Sequence, residues 1–145
     1  MVTSYITRTA HISAAHRLHS PFLNDQENAV LYGKCNNPNF HGHNYKFEIT
    51  VKGSISKTTG MVMNMVDLKN YIQTCLVDPL DHKNLDLDVG YFKDTPSTVE
   101  NLAVYAWKQL DAALKEHKQA NATNTELYRV KIHETERNSV EYYGE

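Results

Sequence analysis

An α+β fold is predicted by three features of the 145-residue sequence. Apolar and polar residues alternate in Tyr5–His16, Tyr45–Val51 and Leu127–Glu134, the period of a strand with one buried face. Two other stretches carry apolar residues at helical spacing. The elements run strand, strand, helix, helix, strand, strand. That order gives a four-stranded antiparallel sheet with two helices on one face, built as two hairpins around a helical pair. The length suits one domain over residues 1–145, and a chain of this size buries about two-thirds of its unfolded surface without metal or disulfide staples. Four strands leave a small open sheet with unpaired edges, and association through them is a natural way to bury them.

The first strand places Ile6, Ala10, Ile12, Ala14 and His16 on one face, with Thr7, Thr9, His11 and Ser13 on the other. Its apolar face therefore ends in a histidine. His11 is on the polar face and His19 lies beyond the strand, so both are weaker candidates for a site. Leu18–Tyr32 reads as a connection with one helical turn at Asp25–Leu31; a connection this long points to function. Cys35 closes it in turn-forming surroundings, Asn36-Asn37-Pro38-Asn39. There it is a metal ligand, a reactive thiol or incidental.

His41 and His43 open the second strand. Residues two apart on a strand share a face, so both project with Tyr45, Phe47, Ile49 and Val51. Two such imidazoles can hold one metal ion, with His16 as a candidate third ligand and room for an open position. Gly53 and Gly60 then bracket a polar hairpin connection, and Met61-Val62-Met63 reads as a short extension of the sheet. Leu68, Tyr71, Ile72, Cys75 and Leu76 form the stripe of the first helix, with Asn64 as its cap and Pro79 as its end. Cys75 on that stripe reads as core.

Asp81-His82 lies outside regular structure, as an acid–base pair or as a surface turn. The second helix starts at Pro96, or at a capping box of Ser97 with Glu100, and buries Val99, Leu102, Ala103, Ala106, Leu110, Ala113 and Leu114. Glu100 has a wholly structural reading there. His117–Thr125 reads as a surface loop. In the third strand Tyr128, Val130 and Ile132 share a face that Glu134 continues, while Arg129, Lys131 and His133 take the other. A carboxylate at the end of an apolar face needs a partner or the edge of a pocket. Ser139–Tyr143 is the last strand.

Composition narrows the function classes. The net charge of −2, with 41% apolar and 22% charged residues, speaks for a soluble protein that binds neither nucleic acid nor membrane. There is no 18-residue apolar run and no secretory leader pattern. Two cysteines, Cys35 and Cys75, suit a reducing compartment, so a cytoplasmic protein is expected. The glycosylation pattern Asn121-Ala122-Thr123 would go unused there.

A set of motifs runs in order along nearly the whole chain. They are Ser13-Ala14-Ala15-His16-Arg17-Leu18, then Gly33-Lys34-Cys35-Asn36-Asn37-Pro38-Asn39-Phe40-His41-Gly42-His43-Asn44-Tyr45, then Gly60-Met61-Val62-Met63-Asn64. Pro79-Leu80-Asp81-His82-Lys83-Asn84-Leu85-Asp86, Ser97-Thr98-Val99-Glu100-Asn101 and His133-Glu134-Thr135 complete the set. In this order they resemble the 6-pyruvoyl tetrahydropterin synthase family, and the Cys-Asn-Asn-Pro-Asn approach resembles its animal-type members. The resemblance implies that His16, His41 and His43 are zinc ligands. It implies that Cys35 is a thiol base rather than a ligand, and that Asp81 and His82 work with it. Glu134 would anchor the pterin as substrate-binding carboxylate and count with the catalytic set. Thr98 would belong to the helix start lining the pterin pocket.

The implied architecture is the tunnelling fold, in which subunits join sheets edge to edge into a trimeric barrel and two trimers stack into a homohexamer. Active sites then lie between subunits, so Asp81 and His82 would serve a neighbour's Cys35. The implied reaction takes 7,8-dihydroneopterin triphosphate to 6-pyruvoyl tetrahydropterin, with elimination of triphosphate, in tetrahydrobiopterin biosynthesis and with zinc as the cofactor. Phe40 stands where animal-type members commonly have glycine, and Val99 where threonine is frequent. Arg17, Lys34 and Lys46 are undistinguished candidates for the triphosphate. The alternatives are a 6-carboxytetrahydropterin synthase of queuosine biosynthesis and a non-catalytic pterin- or zinc-binding protein of the same fold. The Asn36–Asn39 segment disfavours the first, and the presence of Cys35, Asp81 and His82 disfavours the second.

Overall fold

The computed structural model describes all residues from Met1 to Glu145. Two long strands form its spine. β1 (Thr3–His16) and β2 (His41–Ser54) pair antiparallel in an unbroken register from Thr3 opposite Ser54 to His16 opposite His41. β4 (Glu126–His133) pairs with β2, and β5 (Ser139–Tyr142) pairs with β4, both antiparallel.

The sheet has a fifth strand. β3 (Lys83–Asn84) runs parallel to β1 opposite Ala14 and Ala15, giving the order β3-β1-β2-β4-β5. The expected four-stranded, wholly antiparallel sheet is therefore corrected to a mixed sheet of five. Two residues carry no alternation, so nothing periodic marked β3. The strand is set by tertiary bonds instead: the His82 N–H donates to the Ser13 carbonyl at 2.7 Å.

Five helical segments surround this sheet. α1 (Asp25–Tyr32) is held by a capping box between Asn24 and Glu27, two turns where one was expected. α2 (Met65–Ile72) is capped by Asn64 and runs through a π turn (Gln73–Val77) into α3 (Asp78–Leu80), which contains Pro79. α4 (Leu85–Asp88) is one turn capped by Asn84. α5 (Val99–Asn121) is capped by Thr98, whose hydroxyl accepts from the Asn101 N–H, so the helix neither starts at Pro96 nor is capped by Ser97. No helix is long and apolar enough to cross a membrane.

The core joins the odd-numbered face of β2 to α2 and α5. Tyr45, Phe47, Ile49, Val51, Leu68, Leu102 and Leu110 are among its 24 buried residues. The even-numbered face of β2 is polar: the Thr50 and Thr7 hydroxyls bond at 2.8 Å, and Glu48 accepts from the His133 imidazole.

Three further expectations change. Met61-Val62-Met63 is a pair of bends rather than strand; the Val62 carbonyl accepts from the Thr125 hydroxyl instead. A bulge between Thr50 and Val51 puts Leu127 opposite Val51 and turns Tyr128 to the far face, where its ring meets Tyr5 at 4.7 Å and Tyr143 at 5.6 Å. Strict alternation had placed Tyr128 with Val130. His117 belongs to α5, not a loop, and is buried with its Nδ1 3.1 Å from the Tyr71 hydroxyl.

Candidate active site

The β1–β2 register brings the three histidines together. His41 stands directly opposite His16, and His43 opposite Ala14. All three share the core-facing parity, so their side chains must meet at that end of the hairpin. Ring centroids lie 4.6 Å apart for His16 and His41, 5.1 Å for His16 and His43, and 5.0 Å for His41 and His43. One ligand atom from each lies within 4.8 Å of the others.

The protonation states suit a cation. The His16 Nδ1 lies 2.7 Å from the Ser97 carbonyl oxygen, which can only accept, so Nδ1 carries the proton and Nε2 keeps its lone pair. Burial lowers the His16 pKa to about 4, and burial together with the neighbouring His43 lowers that of His41. Both are neutral near pH 7. Both ring nitrogens of His41 are buried without any hydrogen-bond partner in the protein. An orphaned imidazole beside two others is what a metal site with no other protein donor requires. The residues present thus fit a metal such as zinc.

Tyr45 floors the cluster, its ring 5.5 Å from His43 and 6.1 Å from His16. Burial pushes its phenol pKa well up, so it stays neutral.

Glu134 follows the end of β4, and Thr98 caps α5. They line one cavity of about 590 Å³ with Leu18, Tyr32, Val99 and Arg137. The expected carboxylate and the expected helix start therefore face a common space with apolar walls. Arg137 in that wall was not singled out from the sequence, because a turn arginine carries no local signal.

Asp81 and His82 sit on the outer edge of β1. Asp81 accepts the Ser13 N–H at 2.8 Å through one oxygen and contacts His82 Nδ1 at 2.9 Å through the other. The Ser13 N–H, then His82, hold the Asp81 carboxyl below its ordinary pKa. His82 adopts φ +61°, a left-handed conformation that costs on the order of 1 kcal/mol outside glycine. His82 and His43 line a second cleft, of about 510 Å³.

Cys35 lies in the 3₁₀ turn Gly33–Asn36, half-buried, where the Leu18 N–H donates to its carbonyl at 2.9 Å. The turn is thereby tied to the residues just after His16. No hydrogen bond or ion pair joins Cys35 to Asp81 or His82 within the chain. Phe40, immediately before His41, adopts φ +68°, the left-handed region that favours glycine. Lys46 has the parity opposite to the histidines and faces Glu48 on the far side of the sheet.

Residues 5–145 match the protein family described as 6-pyruvoyl tetrahydropterin synthase. The chain belongs to the 6-pyruvoyl tetrahydropterin synthase family. It is 53% identical over 140 residues to the 6-pyruvoyl tetrahydrobiopterin synthase of Homo sapiens, covering 97% of this chain and 91% of that protein. It is 52% identical over 141 residues to the one of Drosophila melanogaster, with 97% and 80% covered. The solved structure of the Caenorhabditis elegans 6-pyruvoyl tetrahydropterin synthase superposes with a TM-score of 0.91 at 41% identity, over 100% of this chain and 98% of that one. The synthase family thus accounts for both the α+β fold and the order of the site motifs.

Proposed function

We infer that this chain converts 7,8-dihydroneopterin triphosphate to 6-pyruvoyl tetrahydropterin, a lyase reaction that eliminates triphosphate in tetrahydrobiopterin synthesis. The observation that carries this reading is the cluster of three imidazoles, one of them without a partner in the protein, at the end of the β1–β2 hairpin. Full-length similarity to synthases supports it.

His16, His41 and His43 would hold zinc. Bound there, the ion supplies Lewis acidity toward the oxygens of the substrate side chain, whose neighbouring C–H protons must be removed. The protein residues do the remaining work. Glu134 accepts two N–H bonds from the guanidine-like edge of the pterin, a charge-assisted pair that fixes the ring. Leu18, Tyr32 and Val99 give that ring apolar walls, and the 590 Å³ cavity is of ligand size. Cys35 is the base that takes a side-chain proton as thiolate and returns it as thiol. Asp81 orients His82 through Nδ1, and the imidazole relays the proton to and from the thiol.

Because Asp81 and His82 project from the outer edge of β1, the Cys35 they serve belongs to a neighbouring subunit. A homohexamer of two stacked trimers, each trimer closing its sheets into a barrel, brings them together. On that edge β3 pairs with Ala14 and Ala15, and Asp81 and His82 bond to the Ser13 backbone, which leaves the residues before Ser13 open to a partner strand. Two free cysteines support a working place in the reducing cytoplasm.

Cys35→Ala tests the assignment of the base. The variant is expected to keep its zinc, read by elemental analysis, while turnover falls by about 10²-fold or more, as loss of a general base does. Unchanged turnover, or turnover lost only together with zinc, would remove Cys35 from that role.

A further inference from the structure

The turn that carries Cys35 is held by a network of hydrogen bonds centred on a single side chain. Asn36 is 6% exposed. Its amide nitrogen lies 2.7 Å from the Leu18 carbonyl and 3.0 Å from His19 Nδ1. Arg17 closes the network from the other side: Nε–H donates to the Asn36 carbonyl at 2.7 Å, and Nη2 lies 3.5 Å from the Asn36 amide oxygen. The backbone adds the bond from the Leu18 N–H to the Cys35 carbonyl. Arg17 is itself fixed, since its own N–H donates to Asp86 at 2.7 Å.

This network spans two functional positions. Arg17 and Leu18 follow directly on His16, and Asn36 follows directly on Cys35. His16 is placed by β1 and its ring is pinned by the Ser97 carbonyl just before α5, whereas Cys35 lies in a short turn with no strand or long helix to hold it. Asn36 and Arg17 supply the rigidity that secondary structure does not.

We propose that Asn36, held by Arg17, is a positioning residue that fixes the Cys35 thiol relative to the histidine cluster, an inference that rests on Cys35 being the base of the proposed reaction. A buried amide offering donors and an acceptor suits this task because each of its bonds has a defined direction. The same geometry gives Arg17 a local duty. Its Nε and one terminal nitrogen face Asn36, so its guanidinium works as a clamp on the turn.

The test uses zinc-loaded full-length protein and two variants, Asn36→Ala and Arg17→Lys. Lysine keeps the charge but loses the planar fork. Two readouts are taken: kcat and KM with 7,8-dihydroneopterin triphosphate, and iodoacetamide alkylation mapped separately at Cys35 and Cys75. Asn36→Ala is expected to lower kcat about tenfold or more with KM within about threefold, since loss of alignment acts on the chemical step. Alkylation at Cys35 should accelerate severalfold while Cys75, on a different element, keeps its rate. Arg17→Lys should change both in the same direction by less.

Unchanged kcat with unchanged Cys35 alkylation overturns the proposal. So does equal acceleration at both cysteines, which marks general loosening, and so does a rise in KM alone for Arg17→Lys, which marks phosphate binding. If Asn36→Ala does not fold, Arg17→Lys decides on the same readouts. If the wild-type protein shows no turnover, the functional reading fails. The alkylation readout then decides the clamp by itself.

Discussion

At the scale of single residues, the most telling group is the His41 imidazole. Two buried nitrogens without a partner are a cost to the folded apo protein, since desolvation is not offset by a hydrogen bond. A bound cation reverses that cost. His41→Ala is therefore expected to lose metal while its metal-free form melts no lower than metal-free wild type, as elemental analysis and thermal unfolding would show. A large drop in apo stability would instead make His41 a structural group. The histidine set was legible because parity on a strand is legible: His16 shares a face with Ile12, and His41 and His43 share one with Tyr45. The tautomer was not, because the Ser97 carbonyl reaches His16 from a segment 81 residues away. Nor was the fate of Arg17, whose partners lie on another turn.

Elements decide how such residues meet. The long β1–β2 register made the histidine cluster predictable in kind, and the stripe of α5 lies where its periodicity put it. The stripe begun in α2 runs on through the π turn that carries Cys75 and Leu76, and Pro79 sits inside α3 instead of ending the run. The sequence was silent on β3, which is too short to have a period, and misled on Tyr128, because a bulge shifts parity without leaving a mark in composition. His117 looked like loop because the polar end of α5 hides one buried contact to Tyr71. Across β2 and β4, Glu48 bonds to His133, with Lys46 and Lys131 nearby, and its carboxyl pKa is lowered below the ordinary 4.5. A carboxyl lowered by folding adds stability that is present above its unfolded value and is lost as pH falls through the folded one. Acid should therefore destabilise the wild type more steeply than Glu48→Gln below about pH 5, in denaturant titrations taken at successive pH values. Parallel curves would mean that the pair contributes nothing.

For the whole molecule, the open edges of the sheet are the main unfinished business. β1 is unpaired over most of its outer edge and β5 is the last strand on the other side. Edges this exposed invite pairing with another copy, and head-to-tail pairing that closes makes a ring. Light scattering behind size exclusion should give six times the 16.6 kDa subunit mass. A monomer that is active would contradict sites shared between subunits. A single chain shows edges but not what meets them, so the number of subunits is implied by family resemblance alone. The central claim is chemical, and one measurement tests it most directly. Zinc-loaded protein is given 7,8-dihydroneopterin triphosphate, with a chelated control, and the products are followed by mass spectrometry. The account predicts zinc-dependent release of triphosphate with all three side-chain carbons retained on the pterin. Release of a two-carbon fragment, or no zinc-dependent product at all, would contradict it.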